Sequence, residues 1–249
     1  MDNARTFGAN ASAYAAGRPA YPPALFDWIA AEAPARGRAL DVGAGSGQAA
    51  LALAERFERV DATDVSAEQI AAAPVRDNIF YKTAPAERTG LPDAAVDVVT
   101  VATALHWFEF DAFWREVKRV SRPGALFAAW TYHRLEVDPQ TETTLLAPIA
   151  AVIDPYWSDG NRLSWRGYPP AEVGFPFPEV AAPDFACELS WTAGDLVKFV
   201  RTWSAYARAA SDGLGPDLDA IEAAAIEGLG DDRRAARLPL AVLAGRVNA

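Results

Sequence analysis

A glycine-rich stretch in the first fifth of the chain carries residues whose types and spacing could bind a nucleotide-like ligand. It reads DVGAGSG over residues 41–47, and an acid, Asp64, follows at the predicted end of the next strand. Glycine tolerates left-handed backbone angles and lets a ligand approach bare backbone. A carboxylate after the second strand can accept hydrogen bonds from both hydroxyls of a ribose. The stretch therefore predicts a site for a ligand that contains a ribose.

The glycine spacing leaves several interpretations open. Dinucleotide sites prefer G-x-G-x-x-G, in which the sixth position lets helix and strand pack closely. That position is Gln48 here, which weakens the interpretation as an NAD-dependent oxidoreductase without removing it. A plain tight turn remains an alternative for the glycines, and a solvated turn acid remains one for Asp64.

Two histidines are the side chains that titrate near neutrality without a large perturbation. His106 follows the fourth predicted strand in ALHWF and is the candidate for a base or for a hydrogen bond to a substrate, with a structural hydrogen bond as the alternative. His133 follows the fifth strand at a second position on the same rim. Cys187, the one cysteine, is expected to pack as a small buried hydrophobe. No Cys/His set has metal-site spacing, so no metal is predicted.

The elements that must position these residues follow from the periodicity of the sequence. Apolar runs of strand length alternate with amphipathic helical stretches, which predicts βαβ units around a parallel sheet and an α/β fold. The strands are predicted at Ala39–Val42, Arg59–Thr63, Asn78–Lys82, Val96–Ala102 and Ala125–Trp130, and later at Phe185–Trp191 and Leu238–Val247. Helices are predicted at Gln48–Phe57, Asp195–Arg208 and Pro216–Leu229, among others.

A segment rich in proline and aromatic residues interrupts this pattern after Trp130. It includes GYPPAEVGFPFPEV and is too irregular for the sheet, so it is expected to form a cap over one end. Its aromatic residues could form an apolar chamber, with Arg162 or Arg166 as a charge for an anionic ligand. Leu196, Phe199, Val200 and Trp203 fall at helical spacing, which places Trp203 in the core rather than in the chamber.

Composition limits the classes of function. The chain has 249 residues, 51% hydrophobic and 22% charged, which fits one α/β core with an added cap. No apolar run is long enough to span a bilayer and the N-terminus lacks a signal-like apolar region, so a cytoplasmic protein is expected. A net charge of -10 opposes binding to a phosphate backbone, so nucleic acid is not expected as a partner.

Several segments in order resemble the S-adenosylmethionine (SAM) binding core of class I methyltransferases, and the whole chain resembles the type 11 methyltransferases related to trans-aconitate methyltransferase. The matching segments are ANASAYAAGRPAYP, DVGAGSG with DATDVS, APAERTGLPDAAVDVVTVATALHWF, and RVSRPGALFAAW. The resemblance implies a Rossmann-like, seven-stranded, mostly parallel sheet flanked by helices, with an antiparallel last strand. It also implies SAM as the cofactor.

The resemblance implies a role for each matching residue. Asp41, Gly43, Ala44, Gly45 and Gly47 would line the methionine end of SAM. Asp64 with Val65 would hold the ribose side, and Ala86 with Glu87 match the position that contacts the adenine. Thr103 begins the loop that lies over the sulfonium in such folds. A solvated loop charge is the alternative for Glu87.

The N-terminal segment is folded over the cofactor in this family. Tyr14, Arg18 and Tyr21 surround its GRP turn. Arg18 could pair with the SAM carboxylate through a charge-assisted hydrogen bond, with a surface arginine as the alternative. Tyr14 and Arg18 are therefore assigned to the cofactor, and Tyr21 to the acceptor.

The acceptor is expected to be a small molecule, and the resemblance to carboxylate methylators favours a carboxylic acid. Methyl transfer is an in-line displacement in which positioning is the main catalytic device. A carboxylate arrives ionised and needs no base, whereas a phenol or an amine must lose a proton. The residues expected at the acceptor are Tyr21, His106, Trp107, His133, Trp157, Arg162 and Trp165.

We therefore expect one methyltransferase domain over residues 1–249, as a monomer or homodimer. Residues 1–35 form the cofactor-covering segment, 36–132 the SAM-binding core, 133–183 the cap and 184–249 the strands and helices that complete the sheet. A non-catalytic SAM-binding protein is a further alternative, because an intact cofactor site does not prove turnover.

Overall fold

A seven-stranded sheet forms the centre of the protein in the computed structural model, which describes residues 18–248. Tyr14, one of the predicted cofactor residues, lies outside the described residues. The strands are β1 Arg38–Val42, β2 Arg59–Asp64, β3 Ile79–Thr83, β4 Val96–Ala102, β5 Ser121–Tyr132, β6 Phe185–Trp191 and β7 Arg234–Val247. Five of the predicted strands agree with these within one residue at each end, whereas β5 is longer at both ends than predicted and β7 begins four residues earlier.

The sheet has the order β3-β2-β1-β4-β5-β7-β6. Strands β1 to β5 pair in parallel, whereas β7 runs antiparallel to both β5 and β6. The mostly parallel sheet with an antiparallel last strand is therefore confirmed. Strands β1 and β4 lie in the middle and are buried over almost their whole length, as expected for a parallel sheet covered on both faces.

The helices connect the strands in chain order. They are α1 Pro23–Glu32, α2 Gln48–Ala54, α3 Ala67–Ala71, α4 Phe110–Val120, α5 Pro139–Thr141, α6 Ala147–Ile153, α7 Asp159–Trp165, α8 Ala193–Arg201, α9 Ser204–Ala209 and α10 Gly215–Leu229. A short 3-10 turn, Leu105–Trp107, follows β4. None of the helices formed by residues 18–248 is long and apolar enough to cross a membrane.

Two hydrophobic cores cover the two faces of the sheet. On one face, Ala39 and Val98 pack with α1, α2 and the C-terminal helices. On the other face, Leu40 and Val99 pack with α4. Neighbouring residues of one strand point to opposite faces, so each central strand contributes alternately to both cores. Apolar burial on both faces holds the central strands in place, and with them the carboxyl ends of β1, β2 and β4.

The helix predicted at Asp195–Arg208 is two helices. Helix α8 ends at Arg201, where the Thr202 hydroxyl donates to the Phe199 carbonyl at 2.6 Å. Trp203 has extended backbone angles and precedes α9. Its half-buried side chain packs against the core, as predicted, with its ring centre 5.7 Å from that of Phe199, but it also lines the cavity described below, which was not predicted.

Candidate functional site

One cavity of about 680 Å³ opens at the carboxyl ends of β1, β2, β4 and β5. Its volume lies within the range that small-ligand sites occupy, roughly 300–1,000 Å³. The glycine turn and Asp64 line one end, and aromatic residues of the segment between β5 and β6 line the other. Ligands of open α/β sheets bind outside the carboxyl ends of the strands, so the position is that of a substrate or cofactor site.

The glycine turn after β1 has no room for side chains at two of its positions. Gly43 and Gly47 have φ angles of 69° and 83°, in the left-handed region. A Cβ at Gly43 would lie 2.7 Å from Cβ of Ala104, and one at Gly47 would lie 2.3 Å from the Tyr81 hydroxyl oxygen. Neither gap admits a methyl group. The turn therefore exposes bare backbone at the cavity and begins α2.

The Asp64 carboxylate closes the turn from the end of β2. One oxygen accepts from the Gly45 N–H at 2.9 Å and the other from the Ser66 N–H at 2.8 Å. The Ser66 hydroxyl in turn caps α3 by accepting from the Gln69 N–H. A carboxylate has about four acceptor positions, so two remain for a ligand on the cavity side. Asp64 is thus fixed in orientation and still able to bind hydroxyl groups.

Asp41 lies behind the turn and is fully buried. Its Oδ1 accepts from the Thr100 hydroxyl at 2.9 Å, while Oδ2 has no hydrogen-bond partner within residues 18–248. Burial, with the nearby Asp64 charge as a smaller contribution, raises the pKa of Asp41 to about 7. A cationic group bound at the turn would supply the positive partner that this carboxyl lacks.

Thr103 holds a strained backbone where β4 ends. Its φ angle is 51°, in a region that β-branched residues rarely adopt, and its N–H donates to the Trp130 carbonyl at 2.8 Å. Such strain persists where the surrounding structure over-determines it, often at functional sites. The strain directs the 104–108 loop over the cavity.

Arg18 and Tyr21 bring the N-terminal segment to the cavity. The Arg18 guanidinium lies 5.4 Å from the centre of the Tyr132 ring and 5.8 Å from that of Phe199, and its Nε donates to the Thr202 hydroxyl at 3.1 Å. Tyr21 stacks on Tyr132 with ring centres 5.6 Å apart. Contacts of this kind hold the Arg18 cation in place at the wall of the cavity.

His106 is held by a buried tyrosine. Its Nδ1 lies 2.8 Å from the hydroxyl oxygen of Tyr168, which is fully buried, and its ring lines the cavity. Burial, with a smaller contribution from the Arg18 charge, lowers the pKa of His106 to about 3. The imidazole is therefore neutral at physiological pH, so it is not a general acid in its cationic form.

Three tryptophans form the far wall. The ring centres of Trp157 and Trp165 are 4.2 Å apart, and those of Trp157 and Trp203 are 5.9 Å apart. Trp165 is 42% exposed, which is high for so large an apolar side chain. Leu146 and Ile153 line the same part of the cavity. We call these five residues the apolar chamber.

The structure brings most of the predicted site residues to this one cavity. Those that line it are Arg18, Gly43, Ala44, Gly45, Asp64, Val65, Ala86 and Thr103 from the cofactor set, and Tyr21, His106, Trp107, His133, Trp157 and Trp165 from the acceptor set. His133 is exposed at the rim.

Four predicted residues do not line the cavity. Asp41 lies behind the turn, and Gly47 is the last residue of the turn, packed against Tyr81 at the start of α2. Glu87 accepts from the Glu109 N–H at 3.0 Å, outside the cavity. Arg162 is turned away: its guanidinium donates to the Asp154 carbonyl at 2.9 Å, and its side chain is 42% exposed. Three aromatic residues of the predicted cap, Tyr168, Phe175 and Phe177, do not line the cavity either: Tyr168 is fully buried, and the two phenylalanines pack against Trp114 and Phe127 in a core.

The geometry of α7 explains why Arg162 lies outside the cavity and why two residues that were not predicted from the sequence line it. Asn161, Ser164 and Trp165 fall at i, i+3 and i+4 of α7 and line the cavity together. Arg162 is one residue from Asn161 and therefore lies on another side of the helix. The spacing of Trp157, Asn161 and Trp165 was the available signal. Among described residues, no set of His, Cys, Asp or Glu could hold a metal ion.

Comparisons with known proteins point to a single family. The model of a methyltransferase domain matches residues 40–129. A solved structure of a candidate type II methyltransferase from Anaeromyxobacter dehalogenans is 42% identical, with a TM-score of 0.83 over 92% of this chain and 97% of that one. A candidate methyltransferase of Dictyostelium discoideum is 29% identical over 81% of this chain and 77% of its own length. An uncharacterised methyltransferase of Mycobacterium tuberculosis is 41% identical over 49% of this chain, and the match spans half of that relative's length.

Proposed function

Because the chain belongs to the SAM-dependent methyltransferases, we propose that it transfers a methyl group to an oxygen of a small carboxylic acid in the cavity described above. The family assignment replaces the two alternatives that the sequence left open, an NAD-dependent oxidoreductase and a non-catalytic binding protein. The trans-aconitate branch of the family remains a resemblance.

The residues at the glycine end of the cavity fit SAM. In this proposal, the bare backbone at Gly43 and Gly45 faces the methionine part, and the open acceptor positions of Asp64 face the ribose. The unpartnered Asp41 oxygen behind the turn favours a cation there. Arg18 is assigned to the methionine carboxylate. When bound, SAM supplies a methyl group on a positively charged sulfur, which leaves as a neutral thioether.

The charge of the cavity beyond the glycine end supports an anionic acceptor. The charged side chains that line it there, among residues 18–248, are Arg18, Arg134 and Glu142. The Glu142 carboxylate is paired with the Arg134 guanidinium. Arg18 therefore brings a positive charge to this part of the cavity, although the whole protein carries a net charge of -10. This positive charge in the cavity wall is the observation that carries the choice of a carboxylate over an amine.

The apolar chamber would hold the body of the acceptor and exclude water from the reacting oxygen. Trp157, Trp165 and Trp203 offer rigid apolar surface, and Asn161, Ser164 and His106 line the same cavity with polar groups. Holding two reactants in line can lower a barrier by roughly 7–11 kcal/mol. A carboxylate has no proton to lose, so the residues need only to bind, orient and desolvate it.

We also propose that residues 133–183 act as the acceptor-binding cap and residues 36–132 as the cofactor-binding part of one domain. The cytoplasmic location and the monomeric or homodimeric state that the sequence suggests stay predictions. The net charge supports a small molecule rather than nucleic acid as the acceptor.

The proposal is tested by incubating the protein and SAM with a panel of aliphatic and aromatic carboxylic acids, phenols and amines. Formation of S-adenosylhomocysteine and of the methylated product is followed by mass spectrometry. We expect methyl esters from one or more acids, and at least a tenfold loss of kcat/KM in Trp157→Ala. Arg162→Ala is the matched control, because Arg162 lies on α7 but outside the cavity, and it should keep wild-type rates. Methylation of amines and not of acids would contradict the proposal.

A further inference from the structure

Tyr168 is a buried residue outside the cavity whose hydroxyl group contacts the ring of His106. It is fully buried, and its φ angle of 56° is left-handed, which is unusual for a bulky residue. The strain is consistent with a fixed role for this side chain. Its hydroxyl oxygen is 2.8 Å from His106 Nδ1, so this nitrogen is not available to a ligand.

Two further hydroxyls complete a small buried network. The Thr131 and Ser164 hydroxyl oxygens are 2.9 Å apart, and both groups are near enough to the Tyr168 hydroxyl to influence its pKa. Thr131 comes from the end of β5 and Ser164 from α7. Sheet and cap therefore meet at the Tyr168 hydroxyl, which fixes its position relative to His106.

The direction of the Tyr168–His106 hydrogen bond follows from the donors present. The bond between Thr131 and Ser164 takes one of their two hydroxyl hydrogens, which leaves the other for a neighbouring acceptor such as the Tyr168 oxygen. Tyr168 has one hydrogen, and among its three neighbours the imidazole nitrogen is the strongest acceptor. A phenol is also a more acidic donor than an alcohol. Donation from Tyr168 to Nδ1 leaves the single hydrogen of a neutral imidazole on Nε2.

From this arrangement, we infer that Tyr168 positions His106 as the neutral Nε2–H tautomer, so that His106 offers the cavity a hydrogen-bond donor and not a base. The inference rests on the proposed function and narrows its substrate class to acceptor oxygens that are already anionic. A carboxylate oxygen forms its bond to the methyl carbon without releasing a proton. A phenol, an alcohol or an amine releases one, and His106 Nε2 could not take it.

The surroundings of His106 agree with a neutral donor. Arg18 is close enough for its positive charge to oppose protonation of the imidazole. Gly160 brings α7 against His106: a Cβ there would lie 3.0 Å from the His106 carbonyl oxygen and 3.6 Å from Cδ2 of the ring. Asn161, the next residue of α7, lines the cavity as well. With Nδ1 bonded to Tyr168, Nε2 is the ring nitrogen that remains for a ligand in the cavity.

The tautomer can be observed directly by NMR of the protein labelled with ¹⁵N-histidine. The chain has two histidines, so a His133→Gln variant assigns the signals. For the unliganded protein at pH 7, we expect a protonated Nε2 and an unprotonated Nδ1 at His106. A protonated Nδ1, or an imidazolium, would overturn the inference.

The positioning role of Tyr168 is tested with Tyr168→Phe. We expect His106 to lose the single tautomer and to show averaged shifts of both nitrogens. Tyr206→Phe is the matched control, because Tyr206 is also buried and donates to Glu222, away from His106. It should leave the His106 spectrum unchanged. An unchanged tautomer in folded Tyr168→Phe would show that Tyr168 does not set it, and if that variant fails to fold, the wild-type spectrum still decides the tautomer.

A third variant tests whether His106 acts as a hydrogen-bond donor or as a general base. Glutamine can place an amide N–H near the position of Nε2 but cannot take up a proton, so we expect His106→Gln to keep at least a tenth of the activity toward the acids of the panel. Activity below a hundredth, with unchanged SAM affinity, would indicate a base. If the wild-type protein does not bind SAM, the proposed function is contradicted instead. The NMR result on the His106 tautomer would still hold, because it is measured without a ligand.

Discussion

Two aspartates at the glycine end of the cavity differ in what they can do. Asp64 was found by its position after the second predicted strand, and both of its oxygens are oriented by backbone N–H groups. Asp41 belongs to the same motif, but its full burial could not be read from the sequence. Burial depends on how α2, β1 and β4 close around it, which is a property of the packed fold. The same is true of the Tyr168 contact with His106, because the two residues are far apart in the chain.

The buried carboxyl of Asp41 makes stability depend on pH. The pKa of Asp41 is raised from 3.8 to about 7, so the folded chain binds more protons than the unfolded chain between these values. Stability therefore falls as pH rises through this range. Asparagine cannot ionise, so Asp41→Asn should gain stability relative to wild type by about 2 kcal/mol more at pH 8 than at pH 5, as measured by urea unfolding.

Asp61→Asn is the control of opposite sign. Asp61 is largely desolvated, but hydrogen bonds and ion pairs with Arg59 and Arg38 outweigh this and lower the pKa of its carboxyl. Its ionised form therefore stabilises the fold above its usual pKa, and Asp61→Asn should be less stable than wild type at pH 8. An Asp41→Asn variant that shows the same gain at both pH values would contradict the account of Asp41.

At the scale of elements, the strands were predictable and the cap was not. The sequence predicts β1 to β4 within one or two residues, and the apolar runs are clearest for β1 and β4, which are buried on both faces. The sequence predicts one helix that continues beyond the end of α8, because the apolar spacing continues to Trp203. The backbone of the folded protein leaves the helix at Thr202. The cap was recognised by composition alone, so the side of α7 that faces the cavity was missed.

The contact between α7 and the turn after β4 gives a prediction about an element. A Cβ in Gly160→Ala would meet the His106 carbonyl at 3.0 Å, so α7 must shift by a few tenths of an ångström. Asn161, Ser164 and Trp165 shift with it. We expect a severalfold fall in kcat/KM for the acceptor and a SAM dissociation constant within about twofold of wild type, because misplacement by such distances costs rate.

Gly194→Ala is the matched control for that measurement. Gly194 also lies in the first turn of a helix, α8, but a Cβ there would meet only the Thr192 hydroxyl oxygen at 3.7 Å. Its steady-state constants should equal those of wild type. Equal constants for both variants would show that the fit of α7 on His106 does not matter for turnover.

At the scale of the whole molecule, one cavity joins two regions of different origin. The carboxyl ends of the strands supply the glycine turn, Asp64 and the strained loop after β4, whereas the segment between β5 and β6 supplies aromatic walls. A long parallel sheet fixes the first region, which explains why the motifs of that region could be predicted. The second depends on packing between distant helices, so the side of each helix that faces the cavity became visible only from the structure.

The most direct test of the account is calorimetric titration of SAM, S-adenosylhomocysteine and NADH into the purified protein, with Asp64→Ala alongside. We predict micromolar SAM binding that weakens at least tenfold in Asp64→Ala, since each hydrogen bond to a charged group contributes about 1.5–3 kcal/mol. Asp27→Ala, a substitution of an exposed aspartate paired with Arg56, should bind SAM as wild type does. No SAM binding, or binding of NADH instead, would contradict the assignment of the glycine turn and of Asp64 to this cofactor.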